Sequence, residues 1–338
     1  MEDTRFSAAV SIADSIKCGV TSIVDHHAGF GAIRGSLNTI AAVAAKAGVR
    51  ACLCCEVSDR AGEKAARECI DENKDFLESV RHRNDGMLAG LLGLHASFTL
   101  SDATLAASKD AAGESGFHVH VAEGIDDVND SLARNGKRVV ERLRDFGILG
   151  RRTLAVHCVH IVPEEMDILA ETGTTVVHNP QSNMSNAVGC SPLLECIRRG
   201  IRMGIGTDAY THDVFESAKA AGLLQRHQLA DPGAAWAEPY IMLLRNNPHI
   251  AGEIFAAKLG TLEPGAAADV ITVDYDPPTP MQAENVNAHM HFGIYGPMVR
   301  TSMINGRLVM RDRTLLTMDE KALRAESRAA AAALWKKL

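Results

Sequence analysis

The sequence predicts a parallel (β/α)8-type barrel followed by a small β element and a terminal helix. Three observations carry this. Short apolar runs alternate with longer amphipathic stretches, the pattern of parallel strands joined by crossover helices. Six of seven apolar runs finish on a histidine or aspartate, at or just past the C-terminal edge: His26 and His27, His95, His120, His157, His178 and Asp208. Near residue 258 the pattern changes to turn and alternating strand. A (β/α)8 barrel builds its site from the C-terminal ends of several strands. A doubly wound sheet gathers its site at one switch point, usually behind a Gly-rich first turn. No G-x-G-x-x-G follows the first run, so the barrel explains the pattern better, although seven runs leave it one strand short.

The runs are VTSIVDHH (20–27), VRACLCCEV (49–57), MLAGLLGLHASF (87–98), FHVHVAE (117–123), TLAVHCVH (153–160), TTVVHNP (174–180) and RMGIGTDAY (202–210). Helical stretches lie between them at 35–48, 102–116 and 131–147, the last with a clear 3.6-residue period. Many open on Ser, Thr or Asp and close on Gly, the expected cap residues. The Cys-rich run is the exception at its end, finishing in Glu56, and it reads as a buried strand in which Cys acts as a small hydrophobe. Beyond the barrel, 259–275 reads as turn then strand, and 299–316 as a hairpin around Asn305-Gly306. An Ala-rich amphipathic helix closes the chain. The predicted division is 1–257 for the barrel and 258–338 for the smaller part.

Composition narrows the function. The chain has 338 residues, 46% hydrophobic, with a formal net charge of −7. That suffices for one large core, or a large domain and a small one. With no basic block and 4% aromatics, nucleic-acid binding is not expected. No apolar run reaches the ~20 residues of a membrane span. The first ten residues, MEDTRFSAAV, do not read as a signal segment. The eight cysteines are expected to be reduced thiols of a cytoplasmic protein that acts on a small molecule.

In HVHVAE, two-residue alternation puts His118 and His120 on one face. His120, nearer the strand's end, is the candidate ligand, and His118 is expected to be a hydrogen-bonded core residue. Glu123 falls past the strand end, as a proton carrier or as a solvated loop carboxylate. His157 terminates its run and is the better inward-facing histidine of AVHCVH. Asp208 follows a Gly-punctuated strand, where a carboxylate binds metal, orients water or caps a helix. His95, His178 and Asn179 are candidate substrate contacts, though HNPQSN also suits a plain polar loop.

The ordered set HVHVAE, AVHCVHI, VVHNPQSNMSNAVG and GIGTDAY resembles the amidohydrolase superfamily, in its cytosine deaminase, guanine deaminase and chlorohydrolase branch. LGTLEPGAAADVITVD is similar to that family's return to its small β-sandwich domain. A narrower likeness, to the aminohydrolases called SsnA, rests on VDHHAG, ACLCCEVSDR, GLHASFTLSD and GTDAYTHDVFES. The resemblance covers essentially the whole chain. It implies a metal-dependent hydrolase of carbon–nitrogen bonds other than peptide bonds, deaminating a purine-like or pyrimidine-like ring. One divalent ion is implied, zinc ahead of iron, together with possible assembly into a homo-oligomer. His120 would be a metal ligand and Glu123 the acid/base. Asp208 would be a ligand that also takes the water's proton. His157 would hold the water, polarise the substrate or serve as a further ligand.

The family's remaining ligands form a His-x-His pair at the end of barrel strand one. By that layout, the first ~90–110 residues of a complete barrel, with strand one and part of the β-sandwich, are absent here. The expected fold is therefore a barrel of strands two to eight, open between its second and eighth strands. Neither His289-Met290-His291 nor His26-His27 is expected to replace the pair, since ligand geometry is demanding. The competing readings are an inactive remnant without that pair and a related chlorohydrolase or amidase.

Overall fold

In the computed structural model, which describes residues 1–336, eight strands form one parallel sheet. They are β1 (Ser22–His27), β2 (Arg50–Val57), β3 (Leu88–Gly90), β4 (Leu92–Ala96), β5 (Phe117–Val121), β6 (Leu154–His157), β7 (Thr175–His178) and β8 (Met203–Ile205). Their order is β1-β2-β4-β5-β6-β7-β8, with β3 also on β2. Crossover helices cover the outside, among them α1 (Glu2–Lys17), α2 (Ser36–Ala47) and α3 (Glu63–Val80). Among the described residues β1 pairs with β2 alone and β8 with β7 alone, so the sheet curls without closing. A cavity of about 630 Å³ runs between these two strands, walled by Ile23, Leu53, Val156 and Ile205.

Strand parity sets the core. Every residue of β2 is buried. Ala51, Leu53, Cys55 and Val57 join the main cluster with Ile16, Leu37 and Phe76 of the three helices. Cys52 and Cys54 join a second cluster with Leu91, Leu154, Ile250 and Phe255. The Cys-rich run is thus the expected buried strand. Asn73 of α3 fixes its end: the side-chain amide accepts from Cys55 N at 2.8 Å and donates to Cys55 O at 2.7 Å.

Two expected elements are divided. The third apolar run breaks at Leu91 into β3 and β4. Gly93 of β4 packs so tightly on β2 that a Cβ there would lie 2.5 Å from Cys55 O. The helix expected over 131–147 is two helices, Ile125–Asn135 and Val139–Asp145. Gly136 separates them at φ +63°, a left-handed conformation that ends a helix whatever the period around it.

The smaller sheet is antiparallel, ordered β12 (Thr314–Leu315), β11 (Arg307–Arg311), β10 (Val299–Ile304), β9 (Val270–Val273). Asn305 and Gly306 make the expected hairpin turn, both at positive φ. His289 and His291 sit on a helix, Val286–Gly293, where they bond Tyr275 and Tyr240 hydroxyls at 2.7 and 3.0 Å. The terminal helix, Glu320–Trp335, has no fully buried residue. Its ion pairs to α1 are Lys17–Glu320, at 2.8 Å, and Arg324–Asp14.

Arg50 fastens the two sheets together. Its guanidinium is 1% exposed, donates to Gly86 O at 2.7 Å and pairs with Asp269, itself 6% exposed, just before β9. Removing one partner of a buried pair strands the other charge. Arg50→Met should lower unfolding stability by about 3–5 kcal/mol, measured by urea titration, and adding Asp269→Asn should restore part of the loss.

Candidate active site

The C-terminal ends of β1, β2, β5 and β6 converge on one space. On β5 the alternation turns His118 and His120 inward while Phe117, Val119 and Val121 pack outward. His120 Nδ1 lies 2.9 Å from the His95 carbonyl and donates to it. That fixes the tautomer and leaves Nε2 bare towards the cavity. His95 lies behind His120, its own Nδ1 2.8 Å from Thr99 Oγ1.

The neighbouring strand ends are held in uncommon backbone conformations. Ala122, His157, Cys158 and Asp208 all have φ between +44° and +71°. Such strain in non-glycine residues clusters at functional sites. It turns the fully buried His157 ring towards the space over β5. His157 Nδ1 donates to Asn183 Oδ1 at 2.8 Å. Its Nε2 is buried without a partner, 3.6 Å from Glu123 Oε2 and 3.8 Å from Asp208 Oδ2. Asn186 Nδ2 holds the other Glu123 oxygen at 3.0 Å, and Ala209 N holds the other Asp208 oxygen at 2.6 Å.

Burial keeps these imidazoles neutral. It pushes His178 down to about 3 and His95 down to about 4, and lowers His157 despite the opposing Glu123 carboxylate. Burial first, then neighbouring histidines, holds His26 and His118 well below the usual histidine range. Near neutral pH each offers a lone pair.

The expected residues His120, Glu123, His157 and Asp208 are brought together. Of the candidate substrate contacts, Asn179 lines the cavity, while His178 is fully buried with neither ring nitrogen partnered. His118 differs from expectation: its Nδ1 has no hydrogen-bond partner and its ring lies 4.4 Å from that of His26. Sequence reasoning set His26 aside as a ligand and gave Glu56 no role, and both line the cavity. The His26 ring is 4.7 Å from His120, with Nε2 3.5 Å from Glu56 Oε2. The available signal was Glu56 itself, which ends its strand as the histidines end theirs.

Bare imidazole nitrogens facing carboxylates suit a divalent ion of the zinc or iron type. His120 Nε2, the unpartnered His157 Nε2 and the unpartnered His26 Nε2 are the nitrogens that fit one.

An open parallel barrel carrying imidazoles and carboxylates at its strand ends defines a hydrolase site of the metal-dependent kind. The chain belongs to the amidohydrolase family, whose model matches residues 1–309. It is 31% identical to the 5'-deoxyadenosine deaminase of Methanopyrus kandleri, over 95% of this chain and 74% of that one. It is likewise 31% identical to the 5-methylthioadenosine/S-adenosylhomocysteine deaminase of Pelotomaculum thermopropionicum, over 96% and 74%. In structure it is similar to a zinc-bound adenosine deaminase from Xanthomonas campestris, with TM-score 0.86, 24% identity, and coverage of 98% of this chain and 75% of that one. The chain falls in the deaminase branch, hydrolases of carbon–nitrogen bonds other than peptide bonds.

Two predictions follow from this geometry. Asn183→Ala removes the acceptor that orients His157 and should lower kcat/KM by about 10–100-fold, read by ammonia release. Asp127, 3% exposed, accepts from Phe98 N and Ala122 N at 3.0 Å each, and burial pushes it up to about 6. A raised carboxyl contributes stability that is full below its unfolded value, ~3.9, and lost as pH rises through its folded value. Asp127→Asn should flatten the fall in unfolding stability between about pH 4 and 6.

Proposed function

We propose that this chain deaminates the purine ring of adenosine-type nucleosides, replacing the exocyclic amine with a water-derived oxygen and releasing ammonia. One observation carries the reading: a buried, neutral His157 whose bare Nε2 faces both Glu123 and Asp208. Relatives named for 5'-deoxyadenosine and 5-methylthioadenosine support the substrate class.

A divalent ion, with His120 as a ligand and Asp208 and His157 as further candidates, would lower the pKa of a bound water towards ~7 and make hydroxide available. The chain's own residues do the rest. His157, locked by Asn183 as the Nδ1–H tautomer, accepts a hydrogen bond from the attacking water and orients it. Asp208 Oδ2, on the other side, takes a proton. Glu123, 28% exposed on its side chain, takes a proton from the attacking water and passes it to the departing amine as the carbon–nitrogen bond breaks. Asn179 is the candidate contact to the ring from β7, while His95 and His178 act from behind the site. The narrower likeness to SsnA belongs to the same reading, as does a cytoplasmic location, which eight unpaired cysteines support.

The test is ammonia release by the zinc-loaded chain on adenosine, 5'-deoxyadenosine, 5-methylthioadenosine, guanine and cytosine. Turnover of the adenosine-type members is expected, and silence across the panel would sink the reading. Glu123→Gln should cut turnover by about 10²–10⁴-fold without altering the thermal midpoint.

A further inference from the structure

We propose that Asn186 and Tyr210 are positioning residues for proton transfer. A chain of hydrogen bonds, from Tyr210 to Asn186 to Glu123, fixes one oxygen of the Glu123 carboxylate and leaves the other to carry the proton. The proposal rests on the reading of the chain as a deaminase in which Glu123 moves that proton. It gives a role to two exposed side chains from the segments that follow β7 and β8.

The order of donors and acceptors is forced. A carboxylate only accepts, so Asn186 presents its Nδ2–H to Glu123 Oε1, at 3.0 Å. The amide oxygen is thereby turned away, and the Tyr210 hydroxyl donates to it at 3.2 Å. Among the described residues neither the Glu123 carboxylate nor the Tyr210 hydroxyl has another hydrogen-bond partner. The free oxygen is therefore Oε2, the one that faces His157 Nε2 at 3.6 Å. The proton balance fits this division. Oε2 takes a proton from the attacking water and gives it to the amine nitrogen as the carbon–nitrogen bond breaks, which restores the carboxylate. Oε1 is an acceptor in both states, so the bond from Asn186 lasts through the whole cycle.

The bracket that holds Glu123 is stiff. Asn186 caps the short helix Pro180–Ser185, which also carries Asn183 one turn earlier. Residues three apart share a helix face, and these two amides hold Glu123 Oε1 and His157 Nδ1, the latter at 2.8 Å. One helical turn thus orients both groups that attend the water. Ala187 N bonds Met184 O and Val188 N bonds Asn183 O, each at 3.1 Å, the paired bonds that close a helix end. That closure takes Ala187 to φ +54°, a left-handed conformation that usually falls to glycine. Val188 then lies over Gly124, where a Cβ would stand 3.9 Å from Val188 Cγ1, so the cap rests on the turn that bears Glu123. Tyr210 follows Asp208 by two residues, and the segment carrying one carboxylate thereby braces the other.

The experiment measures kcat and KM for ammonia release by the zinc-loaded full chain, on the adenosine-type substrate it turns over fastest. Wild type, Asn186→Ala, Tyr210→Phe and the double variant are compared. Asn186→Ala should lower kcat by about 10–100-fold with KM changed by less than about threefold. Tyr210→Phe should lower kcat by about 2–10-fold; it removes one exposed oxygen, so it serves if Asn186→Ala fails to fold. The double variant should be no slower than Asn186→Ala alone, because Tyr210 acts only through that amide. In a ¹⁵N-labelled sample the Asn186 side-chain amide signal should shift in both Tyr210→Phe and Glu123→Gln. Losses that multiply in the double variant, losses confined to KM, or an Asn186 signal unmoved by Glu123→Gln overturn the proposal, while wild-type turnover leaves the deaminase reading standing. A wild type silent across the substrate panel overturns both.

Discussion

Side chains on a strand alternate between its two sides, and this parity organises both the stability and the chemistry of the molecule. Each parallel strand sends one row of residues under the helices and the other into the interior. β2 shows the division within eight residues: Ala51, Leu53, Cys55 and Val57 join the main core, while Cys52 and Cys54 join the interior cluster. The same parity brings His118 and His120 inward. A register slip of one residue would exchange the two rows, burying carboxylates under helices and exposing the imidazoles. Asn73, bonded to both the N–H and the carbonyl of Cys55, pins the register where β2 gives way to the site.

Within the site the recurring device is an imidazole committed at Nδ1 and bare at Nε2. A backbone carbonyl does this for His120 and the Asn183 amide for His157. Burial then keeps the His157 ring neutral. Its lone pair is aimed without the cost of reorganising polar groups when a ligand arrives. The left-handed residues at the strand ends are the conformational cost of that aim, of order 1–3 kcal/mol each. Asp127, accepting from Phe98 N and Ala122 N, ties the end of β5 to the segment after β4, so the strained turn is braced from beneath.

Much of this was legible in the sequence because strand ends are. An apolar run followed by histidine or aspartate gives the element, its direction and its functional end together, which placed His120, Glu123, His157 and Asp208. Periodicity failed where one glycine outweighed it, at Gly136, and where close packing at Gly93 broke a run in two. The meeting of His26 with Glu56 was not legible for a different reason. Spacing along one strand reveals neighbours on that strand, but His26 and Glu56 meet across β1 and β2. Their encounter depends on the register that pairs His26 with Cys54, which leaves Glu56 two residues further along. His118 was misjudged because parity gives the direction of a side chain and not whether a partner waits there.

The terminal helix carries a different kind of attachment. It buries none of its residues completely, and its polar ties to α1 are two ion pairs whose side chains are 22–39% exposed. Pairs of this sort are worth about 0–1 kcal/mol each and are screened within a Debye length of ~8 Å at physiological salt. The barrel is held mainly by dry apolar contacts, whereas this helix combines the packing of Leu323 on the core with charge pairs that salt screens. A saline environment therefore weakens the polar part of the helix's attachment to α1 and leaves the apolar part, and the body it rests on, in place.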